Sequence, residues 1–352
     1  ARIAGIAVQI ACTTTTIILA THQTITNTCK WYVVDATRDG VGSAANSTRG
    51  LLVADQRNGG IMWTDVTWNP VRGCSMVSAG CTNCYAMRQA ARFAGPGRPY
   101  EGLAVLTQAG PRWTGEVRLV PEKLAEPLHW KRPRRIFVNS MSDLFHEKLT
   151  NEEIAAVFGI MAACPQHTFQ VLTKRPERMR EWFEWAAPRD GVQFSERVVD
   201  ATVRFANLSL DPYVDYDWPL PNCWLGVSVE NRATLHRLDY LLATPAAVHW
   251  VSYEPALEPV CFTPYLGGAF LTEREKQSRS VVGLDWVVIG SESGPRARPF
   301  QEDWARSVRD QCQAAGVAFF YKQNTVNGRK IETPELDGRR WKEFPAAAGA
   351  RP

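Results

Sequence analysis

From residue 62 onward, the chain alternates short apolar segments with amphipathic ones, and this alternation limits the folds that it can adopt. The short segments are rich in Val, Ile and aromatic residues, which is typical of buried strands, and the segments between them have helical spacing. Strands that alternate with helices form parallel βαβ units with right-handed crossovers. Since no Gly-rich dinucleotide motif is present, we predict an α/β protein, a partial (β/α) barrel of six or seven parallel strands.

The boundaries of these predicted elements follow from apolar runs, capping residues and Gly or Pro stops. We expect strands at 65–68, 135–139, 167–173, 223–229, 248–252, 285–289 and 317–321. We expect helices at 82–94, from Pro121, and at 150–163, 175–187, 231–242 and 301–315. Residues 188–221 and 258–283 interrupt the pattern, so we predict irregular insertions there.

Polar side chains follow almost every predicted strand. In a parallel barrel the functional residues lie at the carboxyl ends of the strands, so these side chains should meet around one opening. They include Asn139, Ser142, Asp143, Lys174, Arg175, Ser228, Glu230, Asn231, Glu254, Glu292 and Lys322. Glu254 and Glu292 are candidates for binding substrate or transferring a proton, and Lys174 is a third catalytic candidate. Either Glu230 or Asn231 is the candidate for binding ribose hydroxyls. Structural ion pairs with nearby Lys and Arg remain the alternative for each carboxylate.

Three cysteines crowd into the loop after the first strand. Cys74, Cys81 and Cys84 have the spacing C-x6-C-x2-C, and glycines at 73 and 80 let the loop turn tightly. Thiolates at such spacing bind soft metals or iron–sulfur clusters. Structural zinc usually takes four ligands, whereas three suit a 4Fe–4S cluster with one iron left free for S-adenosylmethionine. A zinc site closed by a distant ligand, or plain buried thiols, stays open as an alternative.

The other six of the nine cysteines are scattered, which is typical of a reducing compartment, so we expect a cytoplasmic protein. Residues 4–20 carry no charge, but polar residues interrupt them and they are short for a membrane span, so no membrane association is expected. We predict that residues 1–61 are an extension outside the functional domain, that residues 62–345 form the barrel, and that residues 346–352 are a tail.

The charge balance is mildly basic, with a net charge of +4. Basic residues cluster at 131–135 and at 174–175, and further arginines follow along the chain. Such a surface permits a nucleic-acid partner without requiring one. A solvated loop before a strand is the alternative for the run 131–135.

Several motifs together resemble a known family. The run from Thr67 through the three cysteines to Ala86 is similar to a phage- and mobile-element-associated three-cysteine family that is described as radical-SAM-like, with no assigned substrate. Further matches are Val138–His146, Leu172–Met179, Leu225–Asn231, Ser252–Pro255, Gly290–Pro295 and Leu336–Arg339, so the resemblance covers residues 62–345.

The resemblance implies a 4Fe–4S cluster on Cys74, Cys81 and Cys84, S-adenosylmethionine as cosubstrate, and an external low-potential electron donor. Ser140–Asp143 takes the place of the Gly-Gly-Glu motif of radical-SAM proteins, which assigns Ser142 and Asp143 to the methionine amine of the cosubstrate. The implied function is radical chemistry, with a nucleic acid or nucleotide as the candidate substrate. Two alternatives stay open: a non-enzymatic nucleic-acid-binding module with a structural zinc or iron–sulfur site, and a lyase that repairs DNA photolesions.

Overall fold

The computed structural model describes residues 61–188, 194–210, 216–267, 282–294 and 296–346. The chain divides into two units, residues 1–55 and 56–352, and every described residue lies in the second. The predicted extension (1–61) therefore lies outside the described residues, except for Ile61, and so does all but the first residue of the predicted tail.

The strands are named in chain order. They are β1 (Val66–Trp68), β2 (Val71–Gly73), β3 (Ala104–Thr107), β4 (Gly110–Trp113), β5 (Val117–Leu119), β6 (Arg135–Val138), β7 (Thr168–Thr173), β8 (Cys223–Ser228), β9 (Val248–Tyr253), β10 (Trp286–Gly290), β11 (Ala318–Val326), β12 (Arg329–Glu332), β13 (Glu335–Leu336) and β14 (Arg339–Arg340). The α-helices are α1 (Tyr85–Arg92), α2 (Pro121–Leu124), α3 (Asn151–Ala162), α4 (Pro176–Ala186), α5 (Glu196–Ala206), α6 (Arg237–Leu242) and α7 (Glu302–Ala315).

One curled sheet organises the described residues. Its strand order is β1-β6-β7-β8-β9-β10-β11-β12, and the first seven strands are parallel while β12 returns antiparallel to β11. Together with the interleaved helices, the sheet forms a half-barrel. The predicted partial barrel of six or seven parallel strands is therefore confirmed. Three small two-stranded sheets, β2–β5, β3–β4 and β13–β14, lie outside it.

The two faces of the curled sheet are covered differently. The outer face packs against the helices in a large aliphatic and aromatic core, in which the N-terminal turn of α3 carries the predicted Thr150–Glu153 capping box. The inner face holds a smaller cluster rich in tryptophan. Trp63 packs edge-on against Trp250 and Phe137, with ring centroids 5.0 and 4.7 Å apart. This cluster fills the lower part of the half-barrel.

Local details correct two of the predicted helices. The helix expected from residue 82 begins at Tyr85, because Ala79–Cys81 forms a separate 3-10 turn. The helix expected at 231–242 splits into a 3-10 turn at Arg232–Thr234 and α6, because Asn231 and Thr234 cap the short turn reciprocally.

The insertion expected at 188–221 to be irregular contains α5 in its described part, so that prediction was wrong there. Val198 and Ala201 form its buried face, Phe205 packs against the same core, and left-handed Asn207 ends the helix. The hairpin β3–β4 was not predicted either. Within the described residues, no helix combines the length and apolar character needed to cross a membrane.

Candidate metal centre and its cavity

A cavity of about 220 Å³ opens at the carboxyl ends of the parallel strands. The cysteine loop forms one wall, and residues that follow β6 to β10, with residues of β11, form the others. Trp63, Phe137 and Leu172 form an apolar floor. One water molecule needs only about 10–15 Å³ of such space, so the cavity is large enough for a group much bigger than a single ion.

The three cysteines of the loop all line this cavity. Cys74, Cys81 and Cys84 are half-buried and carry free thiols. Burial, reinforced by the neighbouring carboxylate of Asp143, raises the pKa of Cys74 to about 12. Burial also raises the pKa of Cys84, although the backbone N–H groups of Ala86 and Met87 at the start of α1 oppose this. A metal group would therefore displace protons as it binds.

The side chains of the cysteine loop that could bind a metal in the cavity are its three thiols. Among the described residues that line the cavity there is no fourth cysteine and no histidine. Across all described residues, no set of three His, Cys, Asp or Glu side chains is placed to hold a single metal ion. The structure thus provides three soft ligands in one cavity, which fits an iron–sulfur cluster by donor chemistry, but it does not provide a preformed ligand sphere.

Glu230 anchors the middle of the cysteine loop from below. Its carboxylate accepts hydrogen bonds from Ser78 Oγ at 2.9 Å and pairs with Lys174 at 2.8 Å and Arg237 at 3.2 Å. Burial opposes ionisation, but the two cations and Ser78 outweigh it, so the pKa of Glu230 lies below its usual value. A Cβ on Gly80 would lie 2.5 Å from Glu230 Oε1, which shows how closely the loop approaches this carboxylate.

Glu292 anchors the end of the same loop. The guanidinium of Arg298 donates two hydrogen bonds to its carboxylate, at 2.6 and 3.0 Å, and the backbone N–H of Arg298 donates a third at 2.9 Å. Asn83 Nδ2 donates a fourth, also at 2.9 Å. Arg298 also donates to the carbonyl of Ala79 in the loop at 2.9 Å. Burial is outweighed by Arg298 and Asn83, so the pKa of Glu292 is lowered.

Asp143 anchors the start of the loop through Arg175. The Asp143 carboxylate accepts from Thr173 Oγ1 at 2.7 Å and from Arg175 Nη1 at 3.0 Å. Arg175 in turn donates to Ser75 Oγ at 2.6 Å, one residue after Cys74. Ser142, the neighbour of Asp143, donates to the carbonyl of Val71 at 3.0 Å. Both residues line the cavity, but their polar atoms already support the loop.

Glu254 and Lys322 form a different kind of pair. Lys322 Nζ lies 3.0 and 3.1 Å from the two carboxylate oxygens of Glu254, and Ser252 Oγ donates to the same carboxylate at 3.0 Å. Both side chains line the cavity, and none of their hydrogen bonds reaches the cysteine loop. This pair is therefore available to a bound group.

The predicted site residues fall into two groups, those that line the cavity and those that do not. Most of them line the one cavity: Cys74, Cys81, Cys84, Ser142, Asp143, Lys174, Ser228, Glu254 and Glu292. Glu230 and Asn231 do not line it: Glu230 lies under the loop, and Asn231 caps the following 3-10 turn.

Sequence reasoning missed the hydrogen-bonding roles of Ser75, Ser78 and Asn83, which belong to the cysteine loop itself. It placed Lys322 among the strand-end side chains of the site, which the cavity lining confirms, but it did not pair Lys322 with Glu254.

The fold and site define a parallel α/β half-barrel with a three-thiol wall at the carboxyl end of its strands. The chain belongs to the family described as protein of unknown function DUF5131, whose model matches residues 58–345. Comparisons with curated proteins and with solved structures found no match.

Proposed function

We propose that this chain is an iron–sulfur enzyme that binds a 4Fe–4S cluster through Cys74, Cys81 and Cys84 and uses S-adenosylmethionine. The observation that carries the proposal is the common cavity of these three thiols at the carboxyl end of a parallel half-barrel, where such folds place their chemistry. When bound, such a cluster with one iron free of protein ligands would pass one electron to S-adenosylmethionine and cleave its C–S bond to methionine and a 5′-deoxyadenosyl radical.

The residues of this chain would supply position and shielding for that chemistry. Glu230, Glu292 and the Asp143–Arg175 pair hold the cysteine loop at three points, so the loop keeps its place beside the cavity. The floor of Trp63 and Phe137 excludes water from below.

The Glu254–Lys322 pair places a carboxylate and an ammonium side by side in the cavity. This arrangement complements the ammonium and carboxylate of an amino-acid group, such as the methionine part of the cosubstrate. In this proposal Glu254 would also accept a proton from a bound substrate. The electron that the reaction needs would come from an external low-potential donor.

The test of this proposal is anaerobic reconstitution with iron and sulfide, followed by addition of dithionite and S-adenosylmethionine. We expect a brown protein that releases 5′-deoxyadenosine. Cys81→Ala should lose both the colour and the product. Cys261→Ala is the matched control, because Cys261 is an exposed cysteine that does not line the cavity, and it should behave like the wild type.

A cluster-loaded wild type that yields no 5′-deoxyadenosine would refute the enzymatic proposal. A colourless protein with one tightly held zinc would instead support the structural-site alternative, in which the anchored loop acts as a staple. The lyase alternative shares the cofactor, and repair of ultraviolet-irradiated oligonucleotides by the reconstituted protein would single it out.

A further inference from the structure

A small lobe beside the cavity carries an unusual share of arginine. This arginine lobe, residues 85–118, comprises α1, the hairpin β3–β4 and the segments that follow them. It contains five arginines, no lysine and only two acidic residues. Ala90, Tyr100, Leu103 and Ala104 give it a small core of its own. The lobe is thus a distinct, folded and positively charged surface.

None of the five arginines of the lobe forms an ion pair with a described acidic residue. The arginines that do form ion pairs lie outside the lobe. Arg92 and Arg98 are exposed, and Arg118 donates only to the carbonyl of Pro99, at 3.1 Å. Arg88 and Arg112 likewise donate to backbone carbonyls. These guanidinium groups keep most of their donors available.

The cations inside the cavity contrast with those of the lobe. Lys174, Arg175 and Lys322 line the cavity, and each forms an ion pair with a buried or half-buried carboxylate. A polyanion would therefore find its free positive partners on the lobe and not in the cavity. Only an uncharged part of such a ligand suits the apolar floor.

The lobe adjoins the mouth of the cavity. Tyr85, the first residue of α1, and Trp113, the last residue of β4, both line the cavity. Arg88 donates to the carbonyl of Ser293, which lines the cavity as well. A ligand strand lying on the lobe would have the cavity directly at its side.

Exposed apolar side chains accompany the arginines. Leu106 at the hairpin is 76% exposed, and Phe93 and Val105 are 40% and 43% exposed. Met76 and Val77 of the cysteine loop are exposed as well. Apolar side chains interspersed with free guanidinium groups match a ligand in which bases alternate with phosphates.

We propose that the arginine lobe binds a single-stranded nucleic acid and presents one nucleotide to the cavity. The arginines hold the phosphates, and the exposed apolar side chains contact neighbouring bases. The cavity takes one base, since a nucleotide inside a duplex could not enter it. The chemistry at that nucleotide rests on the proposed function, but the binding surface does not.

The test is binding of a fluorescently labelled single-stranded oligonucleotide to the full chain, followed by anisotropy over a range of salt concentrations. Arg92→Gln/Arg98→Gln removes two charges from the lobe. Lys131→Gln/Arg132→Gln is the matched control: it removes two exposed charges just before β6, at the opposite end of the sheet from the cavity. Thermal melts of both variants should match the wild type.

We expect the lobe variant to bind about tenfold more weakly and its slope of log Kd against log salt to fall by about 1.4, since each phosphate contact on a single strand contributes about 0.7. The control variant should bind like the wild type. The duplex of the same sequence should bind more weakly than the single strand.

Three outcomes would overturn the inference: no binding by the wild type at low salt, equal weakening in both variants, or competition by polyglutamate as effective as that by unlabelled oligonucleotide. The last outcome would point to an acidic protein partner. Because anisotropy does not read cofactor chemistry, oligonucleotide binding without 5′-deoxyadenosine formation would refute the proposed function alone. The reverse result would refute this inference alone.

Discussion

Carboxylates that support the cysteine loop differ from the carboxylate that is open to the cavity. Glu230, which lies under the loop, and Glu292 are fully engaged by cations and by loop hydroxyl or amide groups. Glu254, which lines the cavity, contacts only Lys322 and Ser252. All three carboxylates come just after parallel strands in the sequence. The comparison shows that a position at a strand end is enough to bring a carboxylate to the site. The neighbouring side chains then decide whether that carboxylate holds the cysteine loop or stays available to a bound group.

The largest effect on this comparison is expected from Glu230→Gln. Glu230 is completely buried between Lys174 and Arg237, and the substitution leaves the buried Arg237 and the half-buried Lys174 without a counter-charge. Breaking such a buried pair costs about 3–5 kcal/mol of the free energy of unfolding. Urea denaturation at pH 7 measures this loss. A cost below about 1 kcal/mol would show that Glu230 is not a structural anchor.

Glu254→Gln should affect catalysis and not the iron content. Gln keeps the shape and can still accept from Lys322 and Ser252, so iron content should match the wild type, although Lys322 loses its counter-charge and some stability is lost with it. Because Glu254 faces the amino-acid group of the cosubstrate in the proposed function, turnover to 5′-deoxyadenosine at limiting S-adenosylmethionine should fall by about 10- to 100-fold, the equivalent of about 1.5–3 kcal/mol for one hydrogen bond to a charged group. Iron content and turnover are measured on the same reconstituted sample. Loss of iron in this variant would place Glu254 with the loop anchors instead.

Gly80→Ala tests the close approach of the loop to its anchor. The added Cβ would lie 2.5 Å from Glu230 Oε1, so the loop must shift, at a cost of about 1–3 kcal/mol. We expect reduced iron content in a chain that still folds. Gly95→Ala is the matched control, because its Cβ would have no neighbour closer than 4.0 Å. Equal iron content in the two variants would contradict the account of the loop.

The smallest expected effect is the pH-dependent loss of stability in Glu292→Gln. The pKa of Glu292 is lowered in the folded protein, so its contribution to stability is present above the unfolded value of about 4.5 and is lost as the pH falls through the lower folded value. Glu292→Gln should therefore cost about 1 kcal/mol at pH 7, since Arg298 is partly exposed. This cost should decrease as the pH falls below about 4.5. Denaturation at several pH values measures the difference, and a cost that grew on acidification would contradict a lowered pKa for Glu292.

Much of the fold could be predicted from the sequence, because strand and helix periods are local properties. The parallel strands and the Thr150 capping box were predicted in this way. The gathering of the three cysteines also followed from their closeness in the chain. Residues 188–221 were predicted to be irregular because prolines at 212, 219 and 221 disfavour a helix, and α5 was missed for that reason. These prolines lie after the helix, and the spacing of Val198, Ala201 and Phe205 is helical.

The alternative of structural ion pairs is confirmed for Glu230 with Lys174 and for Glu292 with Arg298, but which cation would meet which carboxylate could not be predicted. Lys174 and Glu230 are far apart in the sequence and meet only because β7 and β8 are neighbours in the sheet. The apolar floor has the same origin, since Trp63 precedes β1 and packs against Trp250 of β9 only in the curled sheet. The basic run 131–135 was a candidate for binding nucleic acid. It leads into the amino end of β6, whereas the cavity lies at the carboxyl ends of the strands.

The most direct test of the central claim is electron paramagnetic resonance of the reduced, reconstituted protein with and without S-adenosylmethionine, together with metal analysis. Three thiol ligands predict about four irons per chain and a cluster signal that changes when S-adenosylmethionine is added, because one iron has no protein ligand. A cluster signal that S-adenosylmethionine leaves unchanged, or one zinc per chain in place of iron, would contradict it.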